Sequence, residues 1–348
     1  MTVAELMERI KTEMSGDAKT DLHRLSEIAQ EYKKEENAEE LMEAIANYAY
    51  EILPADTREQ MEASTFVRGM RMDKAFATAL QMIREDKNAE AESLLGAISD
   101  TIHEHFEGEK KWFSFRNQFE YHMYRHFNPD DTQFDRAPFD FANYLQTYAF
   151  VQVNNGHTRA ALETLGRAQK FNPMSVDVRF EQAEIYKLMQ MTQMLHTCCR
   201  DTMLLSTSGS CYGRVCANMG YFCSLTGDLS SAAIFYFESM KFAPNKAIDI
   251  ELQDVLRRMK TFGQSFAPPT KGQILDTYEK YGIPQPPNDD LVNLALTLAG
   301  SAEQYGRLEL EGLFLRYAFD MTHNDDIKAR LDDLDKRIAA AKAEGAAE

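Results

Sequence analysis

The sequence repeats itself at one fixed displacement, and this restricts the possible folds more than any other feature does. Two windows agree when the chain is shifted by 71 positions. The first window carries Leu145, Tyr148, Ala149, Gly156, Ala161, Leu165, Ala168 and Pro173, and the second carries Cys216, Met219, Gly220, Gly227, Ala232, Tyr236, Ser239 and Pro244. Two helix-hairpin repeats of about 34 residues, with about three extra residues, account for this shift. The pattern therefore predicts stacked helix hairpins with one further repeat between the two windows.

A weaker copy of the pattern lies between the windows, as the spacing requires. Ala183 and Tyr186 fit its first helix, Leu195 and Cys199 fit its second, and residues 206–210 supply the extra loop residues. A fourth, degenerate unit near the C-terminus has Ala295, Leu298, Ala299, Gly306, Leu315 and Ala318 in place, with Glu311 and His323 replacing its small residue and its proline. Elsewhere apolar residues recur at helical spacing, and no convincing run alternates with period two. We therefore predict an all-α fold.

The residue types that recur have a physical reason. Small side chains such as Ala149, Ala161 and Gly220 let paired helices approach closely, while larger neighbours such as Leu165 and Tyr236 fill the space between layers. Glycine suits the tight turn within a hairpin. Proline after the second helix ends that helix, because it lacks a backbone N–H and restricts the residue before it. The pattern thus predicts where each hairpin turns and where each unit ends.

These residues make the chain resemble the tetratricopeptide-repeat family, most closely over residues 142–175 and 213–246. The resemblance implies a right-handed α-α superhelix, a solenoid whose first helices line a concave groove that binds proteins or peptides. It also implies a set of groove-facing residues, namely Asn143, Gln146, Phe150, Phe180, Glu184, Lys187, Arg214 and Tyr221. The version of the groove that grips a C-terminal carboxylate uses Lys, Asn and Arg, and only Arg214 and Asn218 stand at matching positions. We therefore expect this mixed polar and aromatic groove to take an extended or helical peptide.

The chain divides into four predicted regions. These are residues 1–130 (N-terminal helical hairpins, as degenerate repeats), 131–250 (the core repeats), 251–288 (a proline-rich segment) and 289–348 (a degenerate repeat with a capping helix). The first helix should begin at a capping box formed by Thr2 and Glu5. The proline-rich segment contains one short helix, predicted over residues 272–281. We interpret this segment as a packed spacer, with a hinge as the alternative.

The final helix carries one apolar stripe. Its members are Ile327, Leu331, Leu334 and Ile338, at spacings of four, three and four residues. Such a stripe is typical of a helix that caps the last exposed repeat. The alternative is a self-association seam, which would give a homodimer through the C-terminal helix.

Acidic residues predominate, and the formal net charge is −17. Residues 1–62 alone hold 16 acidic and 7 basic side chains. Binding of nucleic acid draws on clustered Lys and Arg, so this surface should repel a polyanion and, by the same argument, an anionic membrane. The acidic face serves to keep a long solenoid soluble, or else it attracts a basic partner. No stretch approaches the roughly 18 apolar residues that span a bilayer, and the charged, amphipathic start does not read as a signal peptide, so we expect a cytoplasmic protein.

No pattern in the sequence indicates catalysis. All five cysteines lie between Cys198 and Cys223 without a metal-binding spacer, and we expect them to be reduced and buried. The sequence has no glycine-rich phosphate loop and no nucleophile elbow. His122 and His126 are one helical turn apart, which would allow them to share a metal, but no third ligand is evident. We therefore predict that the protein is not an enzyme and uses no cofactor.

The sequence favours a non-catalytic scaffold or adaptor that binds a protein or peptide along the concave surface of a solenoid. One alternative is a peptide-signal receptor of the bacterial tetratricopeptide type, in which the groove senses a short peptide and the N-terminal helices act on another protein. The other alternative is a metal-dependent enzyme that uses His122 and His126.

Overall fold

The fold is described by a computed structural model that covers residues 2–32 and 37–345, with side chains up to residue 340. Within these residues the chain forms eighteen helices and four two-residue strands, which make two small strand pairs. Residues 142–246, where the repeat pattern is clearest, are described throughout and contain no strand. The all-α prediction is therefore confirmed, and the molecule is a solenoid of helix hairpins.

The first three helices form a small bundle with a core of its own. They are α1 (Val3–Glu13), α2 (Ala18–Tyr32) and α3 (Ala38–Glu51). The predicted capping box is present, since the backbone N–H of Thr2 donates to the Glu5 carboxylate (2.8 Å) and the N–H of Glu5 donates to the Thr2 hydroxyl (3.3 Å). The core of the bundle consists of Leu6, Ile10, Leu25, Ile28, Leu41 and Ile45. These apolar residues recur at helical spacing, and for that reason the sequence pattern locates all three helices.

A short connection and one further hairpin follow the bundle. The elements are α4 (Ala55–Thr65), β1 (Phe66–Val67), β2 (Met70–Arg71), α5 (Met72–Arg84) and α6 (Asn88–Phe106). The two strands are antiparallel, and Gly69 in their turn has a φ of +78°. Leu95, Ile98 and Ile102 of α6 belong to a second core that extends as far as Ile185. The α5–α6 hairpin therefore packs directly on the repeats that come after it.

Residues 107–140 interrupt the succession of hairpins, and we call them the aromatic insert. The insert contains β3 (Trp112–Phe113), α7 (Gln118–Phe127) and β4 (Asp135–Arg136). Its two strands pair in parallel. Ser114 ties the insert to the repeats, since its backbone N–H donates to the carbonyl of Phe171 (2.8 Å) and its hydroxyl accepts from the N–H of Ala142 (3.1 Å). The domain boundary predicted after residue 130 falls inside the insert, between α7 and β4.

Three hairpins of similar length follow, where the repeat pattern predicts them. They consist of α8 (Phe141–Asn154) with α9 (Thr158–Phe171), α10 (Val176–Leu188) with α11 (Thr192–Leu205), and α12 (Gly209–Thr226) with α13 (Leu229–Phe242). The first and third hairpins turn at Gly156 (φ +84°) and Gly227 (φ +90°). The second hairpin has Gln190 (φ +56°) at this place, a conformation that costs more for a residue with a Cβ atom. This difference is one reason why the middle repeat matches the pattern less well than its two neighbours.

Small residues permit the predicted close approach of paired helices. Ala149, Ala161 and Ala168 are at most 1% exposed. In the third hairpin, a Cβ atom added to Gly220 of α12 would lie 2.8 Å from ring atoms of Tyr236 in α13. Atoms at that distance overlap, so the two helices can pack this closely only because the residue is glycine.

Five helices complete the described part of the chain, and the first two pack on the third hairpin. They are α14 (Lys246–Thr261), α15 (Lys271–Lys280), α16 (Asp289–Gln304), α17 (Leu308–Thr322) and α18 (Asp325–Gly345). The helix predicted in the proline-rich segment is α15, and its C-terminal end is held on the repeats. The carboxylate of Asp228 accepts from Lys280 Nζ (2.5 Å) and from the Tyr281 hydroxyl (2.6 Å), while the Tyr278 hydroxyl lies 3.0 Å from Cys216 Sγ. The end of α15 therefore packs on the third hairpin, and the interpretation of the whole segment as a spacer stays a prediction.

The hairpin of α16 and α17 folds back onto the aromatic insert. The ring of Tyr317 stacks on Phe119 of α7 with ring centres 4.4 Å apart, and the Tyr317 hydroxyl accepts from the side-chain amide of Asn117 (2.9 Å). Phe314 also approaches Phe119, with ring centres 6.2 Å apart. The hydrogen bond from Asn117 joins residues that are 200 positions apart in the chain. The C-terminal hairpin thus brings the last part of the solenoid into contact with the insert.

The last helix covers α17, and the predicted cap is confirmed. Leu334 is 1% exposed, and Arg337 reaches the buried carboxylate of Glu311 with Nη1 3.0 Å from Oε1. Ile327 is also buried, and Leu331 and Ile338 pack against the same core. The stripe that a homodimer would use therefore contacts the chain's own helices. The homodimer stays a prediction.

Candidate partner-binding groove

Five of the eight predicted groove residues meet where α10 and α12 lie side by side. Arg214 of α12 lies over the ring of Phe180 in α10, with the guanidinium carbon 4.4 Å from the ring centre. Its Nη2 atom is 3.6 Å from Glu181 Oε1 and 3.8 Å from Glu184 Oε1. A guanidinium is attracted to an aromatic face by the negative charge density of the ring. Arg214 is therefore held between a ring and two carboxylates.

Glu184 connects Arg214 with Lys187 and Tyr221, the other two of these five predicted residues. Its Oε2 atom is 2.8 Å from Lys187 Nζ, and this Nζ atom lies 5.7 Å from the ring centre of Tyr221 in α12. Rings, cations and carboxylates thus form one continuous row across the two helices. We call Phe180, Glu181, Glu184, Lys187, Arg214 and Tyr221 the groove cluster.

The charged ends of the groove cluster face solvent, and a buried aromatic ring lies beneath them. The side chains of Arg214 and Glu184 are each 42% exposed, and that of Lys187 is 22% exposed. Phe180 is only 3% exposed. Its ring therefore supports Arg214 from below and is not itself open to a partner, although the resemblance implied that it faces the groove.

Helical spacing explains why these side chains share one face. Glu181, Glu184 and Lys187 follow one another at intervals of three residues, and residues at this interval are neighbours on the surface of α10. Arg214 and Tyr221 are seven residues apart, which is close to two turns of α12. Sequence reasoning missed Glu181, although its interval from Glu184 was a signal that could have found it.

The other three predicted residues lie on α8, the first helix of the preceding hairpin. Phe150 is 49% exposed, Asn143 is exposed and Gln146 is half-buried. Within the described part of the chain, no hydrogen bond or ion pair joins these side chains to the groove cluster. The helix α8 packs against α10. Phe150 therefore adds an exposed aromatic ring on the first helix next to the groove cluster.

The histidine pair lies among aromatic rings. His122 is half-buried between Tyr121 and Phe314, with ring centres 5.1 Å and 5.9 Å away, and burial lowers its pKa. His126 lies beside the ring of Phe127 instead. Across the described residues, no group of three His, Cys, Asp or Glu side chains is placed to hold a metal ion. His122 is therefore packed between two rings, whereas His126 is exposed.

The five cysteines are free thiols, and four of them are buried. Burial raises the pKa of Cys216 and that of Cys223 to about 12, and it raises the pKa of Cys199 well above its ordinary value. A thiol with so high a pKa is almost wholly protonated near neutral pH and is a poor nucleophile. These side chains pack as small apolar groups, as predicted.

Successive hairpins, with polar and aromatic side chains on their first helices, define the class of this molecule. It is a tetratricopeptide-like helical-repeat protein. Within the residues that the structure describes, no helix combines the length and apolar character needed to cross a membrane.

No family model matches the sequence, and no curated protein matches it. Among solved structures, the chain is similar to PilF of Pseudomonas aeruginosa, at 11% identity over 75% of this chain and 96% of that chain, with a TM-score of 0.38. It is also similar to a tetratricopeptide repeat protein from Parabacteroides merdae, at 12% identity over 90% of this chain and 98% of that chain, with a TM-score of 0.40. The hairpins of this chain itself define its class.

Proposed function

We propose that the protein is a non-catalytic scaffold that binds a polypeptide segment along the groove formed by α8, α10 and α12. The groove cluster supports this proposal, because it presents exposed charges of both signs above a buried ring on adjacent first helices. A surface of this kind offers ion pairs and hydrogen bonds at fixed spacing, which an extended or helical peptide can match. In this proposal the protein acts in the cytoplasm and has no chemistry of its own.

The chemistry of the groove indicates what the partner carries. An acidic side chain of the partner pairs with Arg214, a basic one pairs with Glu181 and Glu184, and an apolar one covers the exposed ring of Phe150. Long-range attraction favours a partner with net positive charge, since the chain itself carries −17. We therefore expect a basic peptide that contains at least one acidic and one large apolar residue.

Replacing Arg214 with Glu should weaken peptide binding by about tenfold or more, because the substitution removes the cation and adds a third carboxylate beside Glu181 and Glu184. The probe is a synthetic peptide taken from a random library on phage, after selection on the wild-type protein. Isothermal titration calorimetry gives its affinity for each variant.

Arg159→Glu is the matched control for this measurement. Arg159 is an exposed arginine on α9, the second helix of its hairpin. The substitution therefore makes the same change of charge as Arg214→Glu, at a position outside the groove. Circular dichroism should show that both variants are folded, and the control should bind the peptide like the wild type. The groove proposal fails if Arg214→Glu binds as tightly as Arg159→Glu, or if the library yields no binding peptide.

A further inference from the structure

The aromatic insert borders a cavity that has no part in the groove. The cavity has a volume of about 680 Å³, which lies within the range of about 300–1,000 Å³ that is usual for small-molecule sites. Its apolar lining consists of Phe113, Phe115, Tyr121, Phe134 and Leu313. Leu313 belongs to α17, so one wall exists only because the C-terminal hairpin folds back onto the insert. A single ligand in this cavity would touch two distant parts of the chain.

Three rings of the lining are incompletely covered. The ring centre of Phe115 is 6.1 Å from that of Tyr121 and 6.2 Å from that of Phe134, and both pairs meet edge to face. Tyr121 and Phe134 also meet edge to face, at 6.2 Å. Tyr121 is 36% exposed, and the other two rings are half-buried. Rings in this arrangement can accept one more planar apolar group by edge or face contact.

Two arginines line the cavity, and their surroundings differ. Arg116 donates through Nε to Glu120 Oε1 (2.6 Å) and pairs with Asp177 through Nη1, so two carboxylates already neutralise it. Arg136 is exposed and forms no hydrogen bond or ion pair with any side chain in the described part of the chain. Arg136 is therefore the cation at the cavity that can bind an anion without breaking an existing pair.

We propose that the cavity binds an aromatic carboxylate, with its ring against Phe115 and Tyr121 and its carboxylate on Arg136. A guanidinium holds a carboxylate through two parallel N–H donors, which fixes orientation as well as charge. The adjacent carboxylate of Asp135 does not compete for Arg136, because it pairs with Lys110. The ligand is a free aromatic acid or the C-terminal aromatic residue of a peptide, since both present the same ring and the same anion.

The test compares a charged probe with a neutral one of the same shape. Calorimetry should show binding of 2-naphthoate to the wild-type protein. Arg136→Gln should weaken that binding by about tenfold or more, while leaving the weaker binding of 2-naphthamide unchanged. Tyr121→Ala should weaken the binding of both probes, because it removes one of the rings that they contact. Arg159→Gln is the control and should alter neither affinity.

Two tetrapeptides distinguish the sources of the ligand. They are Gly-Gly-Gly-Trp with a free C-terminal carboxylate and the same peptide with a C-terminal amide. If the free-acid peptide binds more tightly than 2-naphthoate and the amidated peptide binds weakly, the site is supported and its ligand is the C-terminus of a peptide. If 2-naphthoate binds more tightly than the free-acid peptide, the site is supported and its ligand is a small aromatic acid. The proposal is overturned if neither acid binds the wild type at millimolar concentration, or if Arg136→Gln binds 2-naphthoate as tightly as the wild type does.

Discussion

Replacing Gly220 with Val should lower the free energy of unfolding by about 3 kcal/mol, at the upper end of what overpacking of a core costs. A Cβ atom added at this position would already lie 2.8 Å from three ring atoms of Tyr236, and valine adds two further methyl groups. The ring cannot move aside easily, since Tyr236 is 2% exposed and its hydroxyl donates to Glu251 of α14. Urea unfolding followed by circular dichroism measures the loss.

Gly166→Val separates this clash from the general effect of valine in a helix. Gly166 lies in α9, and an added Cβ atom there meets no other atom within 4 Å. We expect its free energy of unfolding to stay within about 0.5 kcal/mol of the wild-type value. Equal losses in the two variants would show that close contact at Gly220 does not determine the packing of α12 on α13.

The second large effect concerns Glu120, which joins the aromatic insert to the repeats. Its side chain is 5% exposed and accepts from the backbone N–H of Arg116 (2.8 Å), from Arg116 Nε (2.6 Å) and from the amide of Asn172 (2.8 Å). Glu120→Ala leaves the fully buried Asn172 without this partner and removes one of the two carboxylates that pair with Arg116. Breaking a buried pair costs about 3–5 kcal/mol. The Arg116 side chain is 41% exposed and can be rehydrated, so we expect a smaller loss of about 3 kcal/mol.

A double-mutant cycle shows whether the pair itself causes the loss. Glu120→Ala, Arg116→Ala and the double variant are compared by urea unfolding, and the coupling free energy should be about 1 kcal/mol or more. Glu163→Ala, at an exposed glutamate of α9, is the control and should change stability by less than about 0.5 kcal/mol. Additive losses would mean that Glu120 and Arg116 act independently.

The hairpins could be predicted because their determinants are local. Gly156 and Gly227 both adopt the left-handed conformation that a tight turn needs, and Gly220 stands where two helices meet. Each of these requirements acts within a few residues or within one hairpin, so it recurs in the sequence at the period of the repeat. The middle unit matches the repeat pattern less well, since Gln190 stands where the other two units have the turn glycine.

The arrangement of the insert could not be predicted, because its contacts are long-range. Tyr317 stacks on Phe119, and Leu313 completes the wall of the cavity near Phe115. No periodicity connects residues so far apart in the chain. The hydrogen bond from Asn172 to Glu120 could not be predicted for the same reason.

The meeting of side chains on α10 and α12 was partly predictable. The resemblance assigned Glu184, Lys187, Arg214 and Tyr221 to one surface, and these side chains do meet in the structure. Phe180 is 3% exposed and lies beneath the Arg214 guanidinium, and helical spacing alone did not predict this burial.

Site-specific photocrosslinking tests most directly whether the first helices form the binding surface. Photoreactive p-benzoylphenylalanine is placed at Tyr221, at Phe150 or at the control position Arg159, and each protein is irradiated with the peptide selected on the wild type. Mass spectrometry then maps the crosslinks. We expect peptide crosslinks from positions 221 and 150 and none from 159. Crosslinks from position 159 alone would contradict the account, because the peptide would then lie on the second helices and outside the groove.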